Sequence, residues 1–212
     1  NISYIHGDWT GFLEFDFYGG GGNEIISNSV LPRLRHGFVK NKNWLIGQTW
    51  STFMPLAALV ESLDFGGPHV AEGFIRQVQV RYSIGNWQFA VENSQTFGDD
   101  DGNGGSGNVG VTGANADPDS SLPDFVARYN FKGDWGQESV AGLLRKVDQG
   151  GIDETATAVS FSGRINAVGK DDIRFQLTLG ESGRYVGTTL ATDIVIDPVS
   201  GETKAEKTTA WY

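Results

Sequence analysis

Period-two alternation of apolar and polar residues, repeated in segment after segment, constrains this chain more than any other feature. It places ten strands, over 9–18, 32–39, 44–51, 74–83, 86–93, 124–131, 138–147, 156–166, 172–181 and 205–212. Most are close to the ~9–11 residues that a tilted strand needs to cross a bilayer. The connections alternate too. Those after the first, third, fifth and ninth strands are long, with 52–73, 94–123 and 182–204 the clearest; 40–43, 84–85, 132–137 and 167–171 are short, and 148–155 is intermediate. A meander with long loops at one end and short turns at the other is the pattern of a transmembrane β-barrel, short turns at the periplasmic rim and long loops outside. On this reading odd-numbered strands run outward and the chain starts at the periplasmic side.

Side-chain parity within the hairpins agrees. Val159, Phe161 and Ile165 share a parity with Ile173, Phe175, Leu177 and Leu179, while Ser160, Ser162 and Arg164 match Arg174, Gln176 and Thr178; a turn centred on Gly169 sets Arg164 opposite Arg174. A turn at Ile84-Gly85 sets Ser83 opposite Asn86 and Arg81 opposite Gln88. A soluble antiparallel sheet alternates as well, one face packed and one wet. Three features favour the membrane reading: the polar face carries Arg, Gln and Ser with few Lys, the other face is aromatic-rich, and no second set of strands is left to cover it. Trp9, Trp44, Trp50, Trp87 and Tyr82 fall near strand ends, where an interfacial girdle belongs. Two misfits remain, His36 among apolar neighbours and the strand at 138–147, which assigns to neither face.

Charge adds a second layer. The net charge of −10 argues against nucleic acid as partner. Yet acidic residues gather in the connections, while eight of the nine arginines fall within the strands. Arg33 and Arg35 are expected toward the outside, Arg128 near mid-height, and Arg81, Arg164 and Arg174 toward the periplasm, an inward ladder that would favour small anionic solutes. The alternative is that these arginines pair with Glu14, Asp16, Glu92 and Asp124 as structural networks. The segment 52–73 is a candidate constriction loop through Phe53, Met54, Asp64 and Phe65, because its apolar middle is odd for a solvated loop; burial at a subunit interface would explain it nearly as well. In the acidic external loop 94–123, Asp99, Asp101 and Asn103 match the opening of a calcium-binding loop, but Gly110 stands where the closing Glu belongs. There is no cysteine, no His/Cys metal cluster and no nucleophile elbow, so neither an enzyme nor a cofactor is expected. No apolar run is long enough for a spanning helix, and no signal-peptide pattern opens the chain, which is expected to begin after any such peptide.

Several runs resemble, in order, the N-terminal half of the DcaP-like outer-membrane porins: Leu34-Arg35-His36-Gly37, the run from Asn43 through Gly47-Gln48-Thr49-Trp50 to Met54, Leu63-Asp64-Phe65-Gly66-Gly67-Pro68, Ile75 to Tyr82, and Val91-Glu92-Asn93. The resemblance is strongest over 31–95. It implies an all-β, antiparallel, 16-stranded barrel in the outer membrane of a Gram-negative bacterium, a homotrimer in contact with outer-membrane lipid that passes small anionic solutes such as dicarboxylates. The whole of 1–212 then reads as one barrel domain lacking its last strands, since 16 strands at this loop style need roughly 340 residues. A structural or adhesion barrel with a blocked lumen is the alternative.

Overall fold

The structure, a computed structural model, describes residues 1–17, 22–23, 29–63, 71–94, 122–149, 152–186, 192–196 and 203–212. Its strands are β1 (Ile2–His6), β2 (Trp9–Asp16), β3 (Gly22–Asn23), β4 (Ser29–Val30), β5 (Arg33–Asn41), β6 (Trp44–Trp50), β7 (Arg76–Ile84), β8 (Trp87–Glu92), β9 (Asp124–Gly133), β10 (Gly136–Gln149), β11 (Ile152–Asn166), β12 (Asp172–Gly180), β13 (Ile194–Ile196), β14 (Thr203–Ala205) and β15 (Thr208–Trp211). Eleven of them form one antiparallel sheet in the order β1-β2-β5-β6-β7-β8-β9-β10-β11-β12-β15. The small pairs β3/β4 and β13/β14 lie within long connections. Among the described residues β1 and β15 each pair on one side only, so the sheet is open.

All ten expected strands are present, and β1 is additional. It pairs with β2 from Ile2↔Leu13 to His6↔Trp9, which makes Gly7-Asp8 another short turn. β1 therefore starts at the long-connection end, contrary to the expected periplasmic start. The β7/β8 register also differs from expectation: the turn sits at Gly85-Asn86, with Gly85 at φ 55°, and pairs Ser83 with Gln88 and Arg81 with Ala90. The shift is by an even number of positions, so no side chain changes face. Arg164 opposes Arg174 as expected. β10 and β11 continue to Gln149↔Ile152, closing the intermediate connection into a tall hairpin. Charged residues, including Lys146, Asp148, Asp153 and Glu154, interrupt the alternation there.

Burial is inverted relative to a soluble protein. In β7, Gln77 and Gln79 are each 3% exposed while Val78 is 55% exposed; in β12, Gln176 and Thr178 are buried while Leu177 and Leu179 are exposed. The same holds along β11, where Ser160 and Ser162 are buried and Val159 and Phe161 exposed. An apolar face left open along every long strand requires an apolar surrounding. On that face Trp9, Trp44, Trp87, Tyr82, Tyr129 and Phe131 gather toward the short turns, Trp44 against Tyr82 at 4.7 Å and Trp87 against Tyr129 at 4.7 Å.

The sheet also curls. Gly73, three residues before β7 begins, donates its backbone N–H to Gln176 Oε1 of β12 at 3.2 Å. Five strand spacings separate β7 from β12, about 24 Å in a flat sheet. Chain and side chain together reach under roughly 20 Å, so the polar face must be concave.

Candidate functional site

Two stretches of connecting chain lie in that concavity. The first leaves the end of β6. Within β6, Gly47 sits at φ 130°, and a Cβ there would lie 2.2 Å from the Gly37 carbonyl oxygen, so β5 and β6 approach closely before the chain leaves the sheet after Trp50. Thr52 then donates its backbone N–H to Glu92 Oε1 at 2.7 Å, and Ser51 Oγ donates to Glu92 Oε2 at 2.7 Å. Thr52 Oγ1 donates to Gln79 Oε1 at 3.0 Å. Arg128 Nη1 reaches the carbonyls of Thr52, at 3.0 Å, and Met54, while its Nη2 donates to Ser139 Oγ at 2.9 Å. A single 3₁₀ turn, Leu56–Ala58, follows. Tyr212 donates to the Ala58 carbonyl at 3.1 Å, and Arg174 holds the Leu59 carbonyl and Glu61. The backbone groups of Thr52, Met54 and Ala58, all buried, would be unpaired without these side chains. Phe53, Met54 and Ala58 are buried as a result.

The second stretch follows β12. Ser182 and Val186 are fully buried, and Gly183–Tyr185 forms another 3₁₀ turn. Tyr185 packs edge-on against Phe53 at 5.8 Å, and its hydroxyl donates to Asp124 Oδ2 at 2.8 Å, with Glu92 Oε2 at 3.4 Å. Burial first, then the Glu92 and Asp124 carboxylates, push that hydroxyl well above the ordinary tyrosine range, so it remains a donor at any physiological pH. Asp193 accepts the Arg184 backbone N–H at 2.9 Å and both Nη groups of Arg145. Gly183 is at φ 47°, and Asp193 occupies the space a Cβ there would take, so both backbone and space call for glycine. Arg145 Nε lies 3.6 Å from Asp124, which also pairs with Arg184 at 3.1 Å. Arg145, Asp124 and Asp193 are wholly buried, two arginines against two aspartates once Arg184 is included. A buried charge set holds together only when it is compensated in this way.

The bulge in β5 accounts for the His36 misfit. Glu14 pairs with His36 and Phe15 with Leu34, leaving Arg35 as an extra residue. Arg33 and Arg35 therefore face the same side as His36 and Phe38. Arg33 pairs with Asp16 at 2.6 Å and Arg35 with Glu14 at 2.9 Å. Arg164 and Arg174 share Asp172, each at 2.7 Å. Arg128 is buried under the first stretch. Arg81 makes no hydrogen bond or ion pair among the described residues, and register puts Lys40 and Lys132 on the same face. Asp64, Phe65, Asp99, Asp101 and Asn103 lie outside the described residues, as does most of the acidic loop. Arg145, Arg184, Tyr185 and Asp193 were not singled out in the sequence. Three of them, Arg184, Tyr185 and Asp193, sit in a connection whose length reads as external, and only its apolar residues, Val186 and Ile194 to Ile196 among them, hint at a docked segment.

β10 is no longer anomalous. Ala141, Leu143 and Val147 face inward and are buried because the two stretches pack on them: Leu143 lies in one apolar cluster with Phe53, Tyr185 and Val186, and Val147 in another with Ala156 and Ile194.

Among solved structures, the outer membrane channel DcaP of Acinetobacter baumannii superposes with a TM-score of 0.72 over 97% of this chain, at 21% sequence identity. The chain spans 56% of the length of that channel. No significant match is found among curated proteins. The profile of the DcaP outer membrane protein family matches residues 3–162, well over half of the sequence, and the chain belongs to that family.

Proposed function

We propose that this chain forms much of the wall of a passive diffusion channel for small anionic solutes, dicarboxylates among them, within a 16-stranded barrel that assembles as a homotrimer. Family membership places it in the outer membrane of a Gram-negative bacterium. The observation that carries the anion reading is the charge of the concave face near the short turns. There Lys40, Arg81 and Lys132 make no ion pair among the described residues, with the buried Glu92 carboxylate the nearest counter-charge to act on Arg81, while Arg164 and Arg174 share Asp172 and Arg174 also reaches Glu61, which leaves the cations in excess. Guanidinium groups keep their charge and take carboxylates bidentately, so such a face raises the local concentration of dicarboxylates without holding them tightly. The stretch from Ser51 to Glu61 is the constriction in this reading, with Phe53 and Met54 as its buried anchors and Arg128 as its fastening rather than a solute contact. Arg33 and Arg35, already paired, contribute less.

Planar-bilayer recording tests the proposal. Stepwise conductance with anion preference is expected, and Lys40→Ala combined with Arg81→Ala is expected to lower the anion-to-cation permeability ratio about twofold or more. Cation preference in the unmodified protein would overturn the anion reading. The blocked-barrel alternative has one observation in its favour, the amount of buried chain inside the concavity; a protein that inserts but never conducts would decide for it.

A further inference from the structure

The two inward stretches are joined by a set of contacts that the wall does not need. Gly73 and Val186 form an isolated antiparallel bridge. Tyr185 touches Phe53 with its ring, and its hydroxyl lies between Asp124 and Glu92, the carboxylate that also holds Ser51 and Thr52. The second stretch is fixed in turn by Asp193, clasped by Arg145 and capping the Arg184 N–H. None of these residues except Arg145, Glu92 and Asp124 belongs to the ladder, and those three take part in it through their backbones.

From this we infer that residues 181–186, together with 192–194, carry a second inward element, a strap, and that the Arg145–Asp193 clasp with Tyr185 positions the constriction from behind. The inference rests on the channel reading for its consequence, because the strap sets how far Ser51–Glu61 stands from the wall and hence the width left for solute. Arg145, Asp193 and Tyr185 are positioning residues on this account. Their loss leaves the β-ladder hydrogen bonds untouched, so the sheet persists while the strap and then the constriction loosen. A residue that merely stabilised the wall would lower the yield of folded protein and leave every folded molecule with its normal pore.

The sequence contains no cysteine, which makes thiol accessibility a clean probe. Met54→Cys is introduced alone, with Asp193→Asn, and with Tyr185→Phe, and each folded protein in liposomes is treated with a membrane-impermeant maleimide. Met54, 1% exposed, is expected to label slowly alone, about tenfold or more faster with Asp193→Asn, and several-fold faster with Tyr185→Phe, with single-channel conductance rising in the same order. Tyr185→Phe decides the matter should Asp193→Asn fail to fold. Unchanged labelling in the folded variants, or fast labelling of Met54→Cys alone, would overturn the strap. Labelling needs no conduction, so a protein that never conducts would sink the channel reading while the maleimide rates still judge the clasp.

Discussion

Gly47 stands where β5 and β6 press closest together. It is the one residue of β6 whose backbone lies at positive φ, and the carbonyl of Gly37 closes over the space a side chain would use. Gly47→Ala is expected to destabilise the folded protein by about 1–3 kcal/mol, the usual cost of a non-glycine residue held in such a conformation, measured by urea titration in lipid vesicles. The run Gly47 to Met54 was legible in the sequence as a unit, but not the reason for it, since nothing local to a glycine reveals which neighbouring strand will press on it. The arginines divide in the same way. Their inward parity could be read from the strands, and the pairing of Arg33 and Arg35 with Asp16 and Glu14 follows from antiparallel neighbours once the bulge is known. That Arg145 meets Asp193, 48 residues on, could not, because no periodic pattern connects a strand residue to a loop residue.

At the scale of the strand, alternation was a reliable guide wherever both faces have a uniform environment. β7, β9, β11 and β12 meet that condition. It failed at β1, whose Ile2, Tyr4 and Ile5 expose apolar groups of both parities, and at β10, whose inward face is apolar because chain packs on it. At β10 the exception identifies a strand whose inward face meets packed chain. The outward face supplies a direct test. Val78, the third of the nine residues of β7, lies on the apolar side, 55% exposed. Val78→Arg is expected to cost about 2–4 kcal/mol if that face meets lipid near the bilayer midplane, against a change within about half a kcal/mol at an ordinary wet surface position. Folding titrations into vesicles distinguish the two. A near-zero cost would remove the membrane assignment of β7.

Across the whole concave face, charge is separated along the strands. Near the long connections, the described cations Arg33, Arg35, Arg145 and Arg184 stand beside Asp16, Glu14, Asp124 and Asp193, which neutralise them. Near the short turns, among the described residues, Lys40, Arg81 and Lys132 make no ion pair, Arg164 and Arg174 share Asp172, and Arg174 also reaches Glu61, so five cations meet two carboxylates. A solute crossing such a surface meets a neutral region at one end and a positive one at the other, so the field it feels depends on its side of entry. On the proposed function this gives a rectifying current, with the anion-carrying direction favoured from the short-turn side. The effect belongs to unpaired charges separated by several ångströms of solvent, which salt screens: the Debye length falls from about 10 Å at 0.1 M to about 3 Å at 1 M. Rectification and anion preference are therefore expected to be clear at 0.1 M KCl and to shrink severalfold at 1 M. The constriction and strap are held by buried contacts that salt does not reach, so conductance should keep scaling with bulk conductivity at high salt. Selectivity that stayed constant across this range would mean that discrimination comes from contact geometry at the narrow point instead of from the open cationic face.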